Sequence, residues 1–387
     1  RVISVGATLG IQGDINFSKP ITVRGNGFSD LGAILNVSGN NTITSAVTMA
    51  AASRIGSTAD TLTISGVLSG SNASWSLLKQ GVGTITLSGN NSYTGTTTIN
   101  EGTLIAAHAN ALGTSASARV ISDGATLGLE GNITFAKLIS GSGTGVDSTG
   151  AIRNVSGNNT LSGTVTLAAA SSIGSTSGTL ALSGTLNVSP AITIVGSGTV
   201  ELGRSNLIAD DINLIIDGGN FNVGVYSDTV GTVTLSAGSI VGPTTGTIGV
   251  LTGSSYAINN ATGNTIISAK LGGTGALTKS GAGTLTLSGA NTYSGATTIS
   301  NGTLNLGAAN VISNSSDFII DGGTFDIGAY SDTVGTVTLS SGYITGTTGV
   351  LTGTSYTISN TTGTTSISAN LGGVGTLNKS GAGTLTL

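Results

Sequence analysis

The side chains in this sequence best suited to acid–base or metal chemistry are four aspartates. Asp217 and Asp321 lie in Ile-Asp-Gly-Gly segments, and Asp228 and Asp332 lie in Tyr-Ser-Asp-Thr-Val segments. Carboxylates on one face of a β-helix can serve as acid and base, or hold Ca²⁺. Each of these acids recurs in a tandem copy, whereas an active site is normally unique and a turn is needed in every coil. Because Asp before Gly-Gly suits an Asx-turn, we interpret the four aspartates as turn residues.

Other catalytic groups are scarce. His108 is the single histidine, so a Ser/His/Asp triad would require it; it lies in a predicted loop without a nucleophile-elbow motif, and we interpret it as solvent-facing. The absence of Cys excludes a cysteine nucleophile and thiolate metal sites. The glycine-rich segments 272–275 and 281–283 do not open a helix, so they predict tight turns rather than phosphate loops. We expect no catalytic residue, no cofactor and no metal.

Several polar and aromatic side chains recur at matching positions. Lys79, Lys279 and Lys379 share one motif position, and we interpret them as edge or solubility charges. Thr-x-Thr pairs predict threonines on the outer face of strands; an ice-matching ladder is not expected, because Asn305 and Asp326 follow Thr286 in successive units. The recurring threonine pairs are Thr84/Thr86, Thr164/Thr166, Thr232/Thr234, Thr284/Thr286 and Thr336/Thr338.

Asparagine pairs and aromatic residues also recur along the chain. Asparagine pairs in predicted turns could stack their amides into ladders, and sequons such as Asn36, Asn72 and Asn154 are interpreted as a result of composition. The aromatic residues are too scattered for a sugar-binding platform and are assigned to core or turn packing. These sets are Asn40–Asn41, Asn90–Asn91 and Asn158–Asn159, and Trp75, Tyr93, Tyr293, Tyr226 and Tyr330.

Composition narrows the class of protein. Charged residues make up 7% of the chain and the net charge is −4 with no Lys/Arg cluster, so no nucleic-acid partner is expected. No apolar run approaches the roughly 20 residues that a membrane helix needs, so no transmembrane segment is expected. Hydrophobic residues make up 38%, too many for a disordered chain. Because the chain opens at Arg1 without a signal peptide and stops at Leu387 in mid-motif, we expect both ends to be cuts from a longer protein.

Internal repeats organise the whole chain. Residues 1–68 return as residues 119–186, and residues 214–273 return as residues 318–373 with a few residues lost near Pro243. A third motif occupies residues 77–105, 277–306 and 377–387. Beneath these long repeats lies a unit of about 20 residues, typical of stacked architectures.

Each short unit predicts strands. In Thr284-Leu-Thr-Leu287 polar and apolar residues alternate, the period of a half-buried strand, and Gly, Asn and Ser clusters supply the turns. A coil of about 20 residues buries little apolar surface alone, so coils must stack. We therefore predict an all-β, right-handed parallel β-helix (β-solenoid), continuous over residues 1–387, with about 19 coils at ~4.8 Å each.

One segment of the third motif carries a family resemblance. From Lys279 it reads Lys-Ser-Gly-Ala-Gly-Thr-Leu-Thr-Leu, continues through Asn-Thr-Tyr-Ser-Gly-Ala-Thr-Thr-Ile, and ends in Gly-Thr-Leu-Asn-Leu at Leu306. It resembles the autotransporter-associated β-strand repeat, with a second full copy at Lys79–Ile105 and the start of a third at Lys379–Leu387. The resemblance implies a right-handed β-helix from a bacterial passenger region, exported and displayed on the cell surface or released. It brings no catalytic residues.

These observations favour an extracellular structural or adhesive passenger segment that is not an enzyme. Its partner would be another copy of itself, or a host, surface or glycan ligand. One alternative is a polysaccharide-active β-helix enzyme, which would lose polymer cleavage on replacement of Asp217 or Asp321. The other is a passive spacer for terminal domains elsewhere in the parent protein. The sequence does not identify the residues that bind the partner.

Overall fold

The structure is a computed structural model that describes residues 1–387. It is an all-β, parallel β-solenoid of about 18 turns, each of about 21 residues, which confirms the predicted fold class. The chain forms two compact units, Arg1–Gly203 and Arg204–Leu387. The continuity of one solenoid across residues 1–387 stays a prediction. Neither of the two helices, each a three-residue 3-10 turn, could span a membrane.

The first unit contains strands β1 to β23 and both 3-10 turns. Its elements are β1 Val2–Ile3, β2 Leu9–Gln12, β3 Asn16–Phe17, β4 Ile21–Gly25, the 3-10 turn Phe28–Asp30, β5 Ile34–Ser38, β6 Asn41–Ile43, β7 Val47–Ser57, β8 Thr61–Ile64, β9 Leu68–Ser69, β10 Leu77–Gln80, β11 Thr84–Leu87, β12 Thr97–Ile99, β13 Thr103–Ala106, β14 Arg119–Ile121, β15 Thr126–Leu129, β16 Thr134–Phe135, β17 Ile139–Gly143, the 3-10 turn Val146–Ser148, β18 Ile152–Asn154, β19 Asn158–Leu161, β20 Val165–Ser175, β21 Thr179–Leu182, β22 Leu186–Val188 and β23 Ala191–Leu202.

The second unit contains strands β24 to β39. They are β24 Asn213–Asn222, β25 Asp228–Val241, β26 Val250–Ile258, β27 Asn264–Ile267, β28 Lys270–Gly272, β29 Leu277–Lys279, β30 Thr284–Leu287, β31 Thr297–Ile299, β32 Thr303–Leu306, β33 Phe318–Gly328, β34 Asp332–Gly346, β35 Val350–Ile358, β36 Thr364–Ile367, β37 Asn370–Gly372, β38 Leu377–Lys379 and β39 Thr384–Thr386.

Parallel pairing between successive coils places inward-facing side chains in register with one another. Leu285 lies between Thr265 and Leu304 in the ladder, and Leu304 pairs in turn with Phe325. All four side chains are buried, because alternate residues of a strand point into the solenoid. A slip of one residue would turn the polar threonines of β30 inward, so the apolar alternation fixes the register.

The two loops that contain the 3-10 turns have the same hydrogen bonds. Thr8 Oγ1 accepts a hydrogen bond from Phe28 N at 2.7 Å and donates one to Gly32 O at 2.8 Å. In the later copy, Thr126 Oγ1 accepts from Val146 N at 2.8 Å and donates to Gly150 O at 3.0 Å. The duplication of residues 1–68 as 119–186 therefore preserves the loops as well as the core.

Candidate functional site

Lysine side chains lie inside the solenoid, in a column of apolar residues. In the second unit the inward column runs Ile258, Lys279, Ile299 and Ile320 in register, and in the first unit Lys79 pairs with Ile55 and Ile99. Lys79 is 1% exposed and Lys279 is 0% exposed. The interpretation of these lysines as edge or solubility charges was wrong for both. Lys379, the third member, is half-buried.

The buried amines cap backbone carbonyls at a corner of the coil. Lys79 Nζ donates to Gly81 O and, at 2.9 Å, to Glu101 O. Lys279 Nζ makes the corresponding bond to Gly281 O, and Lys379 Nζ donates to Gly381 O at 2.8 Å. Burial lowers the pKa of Lys79 to about 7, against a smaller opposing effect of the Glu101 carboxylate, and burial lowers the pKa of Lys279 as well. The amine thus satisfies carbonyls that face the interior, at the cost of desolvating its charge.

The alternation of the strand contained the signal for this burial. Leu277 and Lys279 are two residues apart on β29 and therefore share a face, and Leu277 is 0% exposed. The charge of Lys279 predicts an exposed side chain, but its position in the alternation predicts an inward one, and the position is decisive here.

Buried asparagines connect three successive coils. Asn91 Oδ1 accepts from Leu68 N at 2.7 Å, and its Nδ2 donates to Ala111 O at 2.6 Å. Asn291 makes the same two contacts, with Leu271 N at 2.8 Å and Val311 O at 2.7 Å. Each carboxamide replaces a missing step of the backbone ladder where the coil bends, as buried polar groups require.

Replacing Asn91 by alanine is expected to destabilise the first unit by about 2 kcal/mol or more, because a buried N–H and a buried C=O would both lose their partner. The neighbouring Asn90 is exposed and accepts a hydrogen bond from Asn110 Nδ2, so Asn90→Ala provides a matched control with an expected change under ~0.5 kcal/mol. Urea unfolding of the two variants measures the difference. Equal midpoints for both would contradict the bridging role of Asn91.

The other asparagine pairs form networks within a coil more than ladders along the stack. Asn41 and Asn159 are buried and donate to Asn36 Oδ1 and Asn154 Oδ1, respectively. Asn90 does contact an amide of the adjacent coil, because its Oδ1 accepts a hydrogen bond from Asn110 Nδ2 at 3.1 Å. The sequon residues Asn36 and Asn154 are 0% exposed, and Asn72 is exposed.

Two of the tyrosines belong to the core, as predicted. Tyr93 and Tyr293 are both 0% exposed, and their hydroxyls lie 2.6 and 2.7 Å from the hydroxyls of Thr97 and Thr297. Trp75 and Tyr226 are half-buried, and Tyr330 is 42% exposed.

Two of the four aspartates anchor loops from inside. Asp228 Oδ2 accepts from Leu207 N at 2.8 Å and Ile208 N at 3.3 Å, and Asp332 Oδ2 accepts from Val311 N at 2.8 Å and Ile312 N at 3.2 Å. Both acids are 1% exposed and begin strands β25 and β34, so their interpretation as turn residues was wrong. Burial raises the pKa of each carboxyl to about 6, although the backbone N–H groups favour the ionised form.

The other two aspartates face solvent. Asp217 and Asp321 are exposed and lie where β24 and β33 bulge, at the Gly-Gly corner that follows. Their partners in the next coil are Ala237 and Ser341, so the register does not pair either acid with a second carboxylate. His108 is half-buried in a turn, with its Nδ1 accepting from Asn110 N at 3.0 Å. Of the predicted turn 272–275, Gly272 ends β28 and residues 273–274 form a bend; residues 281–283 also form a bend between strands, as predicted.

Arg119 is a buried residue that the sequence reasoning missed. It is 1% exposed and donates to Leu112 O at 2.8 Å, Gly113 O at 3.2 Å, Ser115 O at 2.9 Å and Ser117 O at 3.0 Å. One guanidinium therefore binds four carbonyls of the 112–117 loop. Its equivalent in the earlier copy, Arg1, is exposed, so comparison of the copies gave no signal for this burial.

The polar residues described above recur in two segments with the same order of strands. In residues 77–106, Lys79, Asn91 and Tyr93 lie on or between β10 to β13; in residues 277–306 their equivalents lie on or between β29 to β32. The passenger-associated-transport-repeat matches these same two ranges, residues 77–106 and 277–306. Both segments are similar to this repeat family. This confirms the family resemblance found in the sequence.

The passenger-associated-transport-repeat implies an autotransporter passenger region with a β-helix fold, and with it extracellular or cell-surface display. The repeat favours a structural passenger rather than an enzyme. No curated protein and no solved structure matches the chain significantly. Inside each repeat, the recurring lysine and asparagine satisfy backbone groups, and the buried tyrosine hydroxyl pairs with a threonine hydroxyl, which are structural roles.

Proposed function

We propose that this chain is an adhesive passenger segment at the bacterial cell surface, and that its flat outer faces bind a second copy of the same chain. A single observation carries the proposal. On the outer side of the second unit, Asn264, Thr284, Thr303, Thr324, Tyr343 and Ser366 stand in register on successive coils. We name these residues the hydroxyl column.

The hydroxyl column is suited to repeated weak contacts. Its members range from half-buried to exposed, and Tyr343 is 48% exposed. None of the six side chains in the hydroxyl column is charged, so two such columns can lie opposite each other without charge repulsion between their members. Hydroxyls and amides both donate and accept, and a regular series of weak contacts gains from effective concentration once the first has formed.

Sedimentation velocity over a range of protein concentrations tests this function. We expect concentration-dependent association that high salt leaves largely unchanged, because hydroxyl and amide contacts are not screened as ion pairs are. Thr303→Lys places like charges opposite each other in a face-to-face dimer and is expected to weaken association roughly tenfold or more.

Thr166→Lys is the matched control, since Thr166 is an exposed strand threonine in the first unit, outside the hydroxyl column. Its association should match that of the unchanged chain. A monodisperse monomer at every concentration, or equal effects of both lysine variants, would overturn self-association through this face.

A further inference from the structure

The second repeat contains an Asn-Gly dipeptide in an unusual setting. Asn301 is exposed in the bend between β31 and β32, and Gly302 follows with φ +68°, a conformation that glycine adopts readily. Gly302 N donates to Asn301 Oδ1 at 2.8 Å instead of joining the strand ladder. The backbone nitrogen and the carboxamide with which it could react are therefore already in contact.

The buried amine of Lys279 lies close to the same peptide. Lys279 Nζ is 3.5 Å from Asn301 O, and a Cβ added to Gly302 would lie 2.7 Å from that Nζ. The first repeat has the same corner with Glu101 in place of Asn301, and there Glu101 Oε2 accepts from Gly81 N at 3.1 Å. One repeat thus carries a carboxylate over its buried lysine and the other a carboxamide.

We propose that Asn301 is a self-modification site, at which deamidation gives the second repeat the carboxylate that the first repeat already has. Gly302 N loses its proton to solvent base and attacks Asn301 Cγ; the carboxamide nitrogen leaves as ammonia and a succinimide ring forms. Water then opens the ring at either carbonyl, which leaves aspartate or isoaspartate at position 301.

Lys279 assists the first step through its hydrogen bond. Loss of the Gly302 N–H proton spreads negative charge onto Asn301 O, which accepts a hydrogen bond from Lys279 Nζ at 3.5 Å. A donor aimed at developing charge stabilises the transition state more than the ground state. The product carboxylate then lies close to the buried amine and favours its protonated form, as Glu101 does for Lys79.

The chain contains its own comparison site. Asn26–Gly27 is a second Asn-Gly dipeptide with an exposed asparagine, but the surroundings of Gly27 are Gly32 and Thr8 Oγ1 rather than a lysine. Both sites experience the same buffer and the same time of incubation, so their relative rates isolate the effect of the corner.

Incubation of the full chain in mildly alkaline buffer, followed by peptide mass spectrometry and isoaspartate-specific methyl labelling, tests the proposal. We expect Asn301 to deamidate roughly tenfold faster than Asn26 in the folded protein, the factor that one charge-assisted hydrogen bond contributes to a rate. Lys279→Met should remove most of that difference without changing the rate at Asn26.

A second arm needs no variant. In denaturant the two dipeptides should react at similar rates, because the corner no longer exists. Asn301 that stays intact in the folded chain, that reacts no faster there than Asn26, or that keeps its advantage in denaturant would overturn the proposal.

Discussion

Replacing Arg119 by methionine is expected to lower the free energy of unfolding of the first unit by about 3 kcal/mol or more. Methionine fills much of the same volume but donates no hydrogen bond, so the carbonyls of Leu112, Gly113, Ser115 and Ser117 would all lose their donor. Unsatisfied acceptors cost more than the bonds themselves contribute, particularly at Leu112 and Gly113, whose bonds to the guanidinium are buried.

The loop should respond before the rest of the unit. Hydrogen exchange of residues 112–118 should accelerate in the Arg119→Met variant, and a protease should cut there first. Arg24→Met is the control, because Arg24 is exposed and its replacement should change stability by less than ~0.5 kcal/mol. Unchanged exchange in the loop of the Arg119 variant would refute the assignment of Arg119 as the residue that holds it.

The stability of the second unit is expected to pass through a minimum near neutral pH, opposite to the usual maximum there. Asp228 and Asp332 have a pKa of about 6 in the folded chain, above the ordinary aspartate value of 3.8. The folded state therefore binds their protons more tightly than the unfolded state does. The stability that this contributes is fully present below pH ~4 and is lost as pH rises through about 6, by about 3 kcal/mol per group.

The buried lysine of each unit, Lys279 in the second and Lys79 in the first, produces the opposite slope on the alkaline side. In the second unit, burial lowers the pKa of Lys279 from the ordinary value of 10.5; in the first unit, it lowers the pKa of Lys79 to about 7. The folded state therefore releases these protons more readily than the unfolded state. The stability gained is fully present above the unfolded lysine pKa and is lost as pH falls towards the folded value.

Urea unfolding from pH ~4 to pH ~10, with hydrogen exchange to report on each unit separately, measures both slopes. Asp228→Asn and Asp332→Asn keep an acceptor for the loop N–H groups and should flatten the acid slope together. Lys279→Met should flatten the alkaline slope and leave the acid slope in place. A broad maximum near pH 7 in the second unit of the unchanged chain would show that these groups are not desolvated as described.

The sequence predicted the fold because the stack repeats one simple physical requirement. Leu285 and Leu287 alternate with threonines, and every coil must bury such a pair, so pattern and repeat length together indicate a β-solenoid. The polar interior was not predictable in the same way. Lys279 was assigned to the surface because a charged side chain is rarely buried, and Asp332 because Asp is common in turns.

What decides these exceptions is the position of unpaired backbone groups, which appears only in three dimensions. Val311 N and Ile312 N turn inward where the chain leaves the coil, and Asp332 lies one coil away to receive them. The 112–117 loop turns carbonyls inward and is met by Arg119. The sign of the charge thus follows from which end of the peptide group faces the core.

The buried Lys279 distinguishes its coil from the neighbouring coils of the stack. Isoleucine layers such as Ile299 and Ile320 are nearly interchangeable, so a chain displaced by a whole coil would still bury its aliphatic side chains. The Lys279 amine is not interchangeable with isoleucine, because it binds Gly281 O within its own coil and Asn301 O of the next coil. A chain displaced by a whole coil would lose the contact with Asn301 O and leave the buried amine with fewer acceptors, so the buried lysine favours the correct alignment among otherwise equivalent ones.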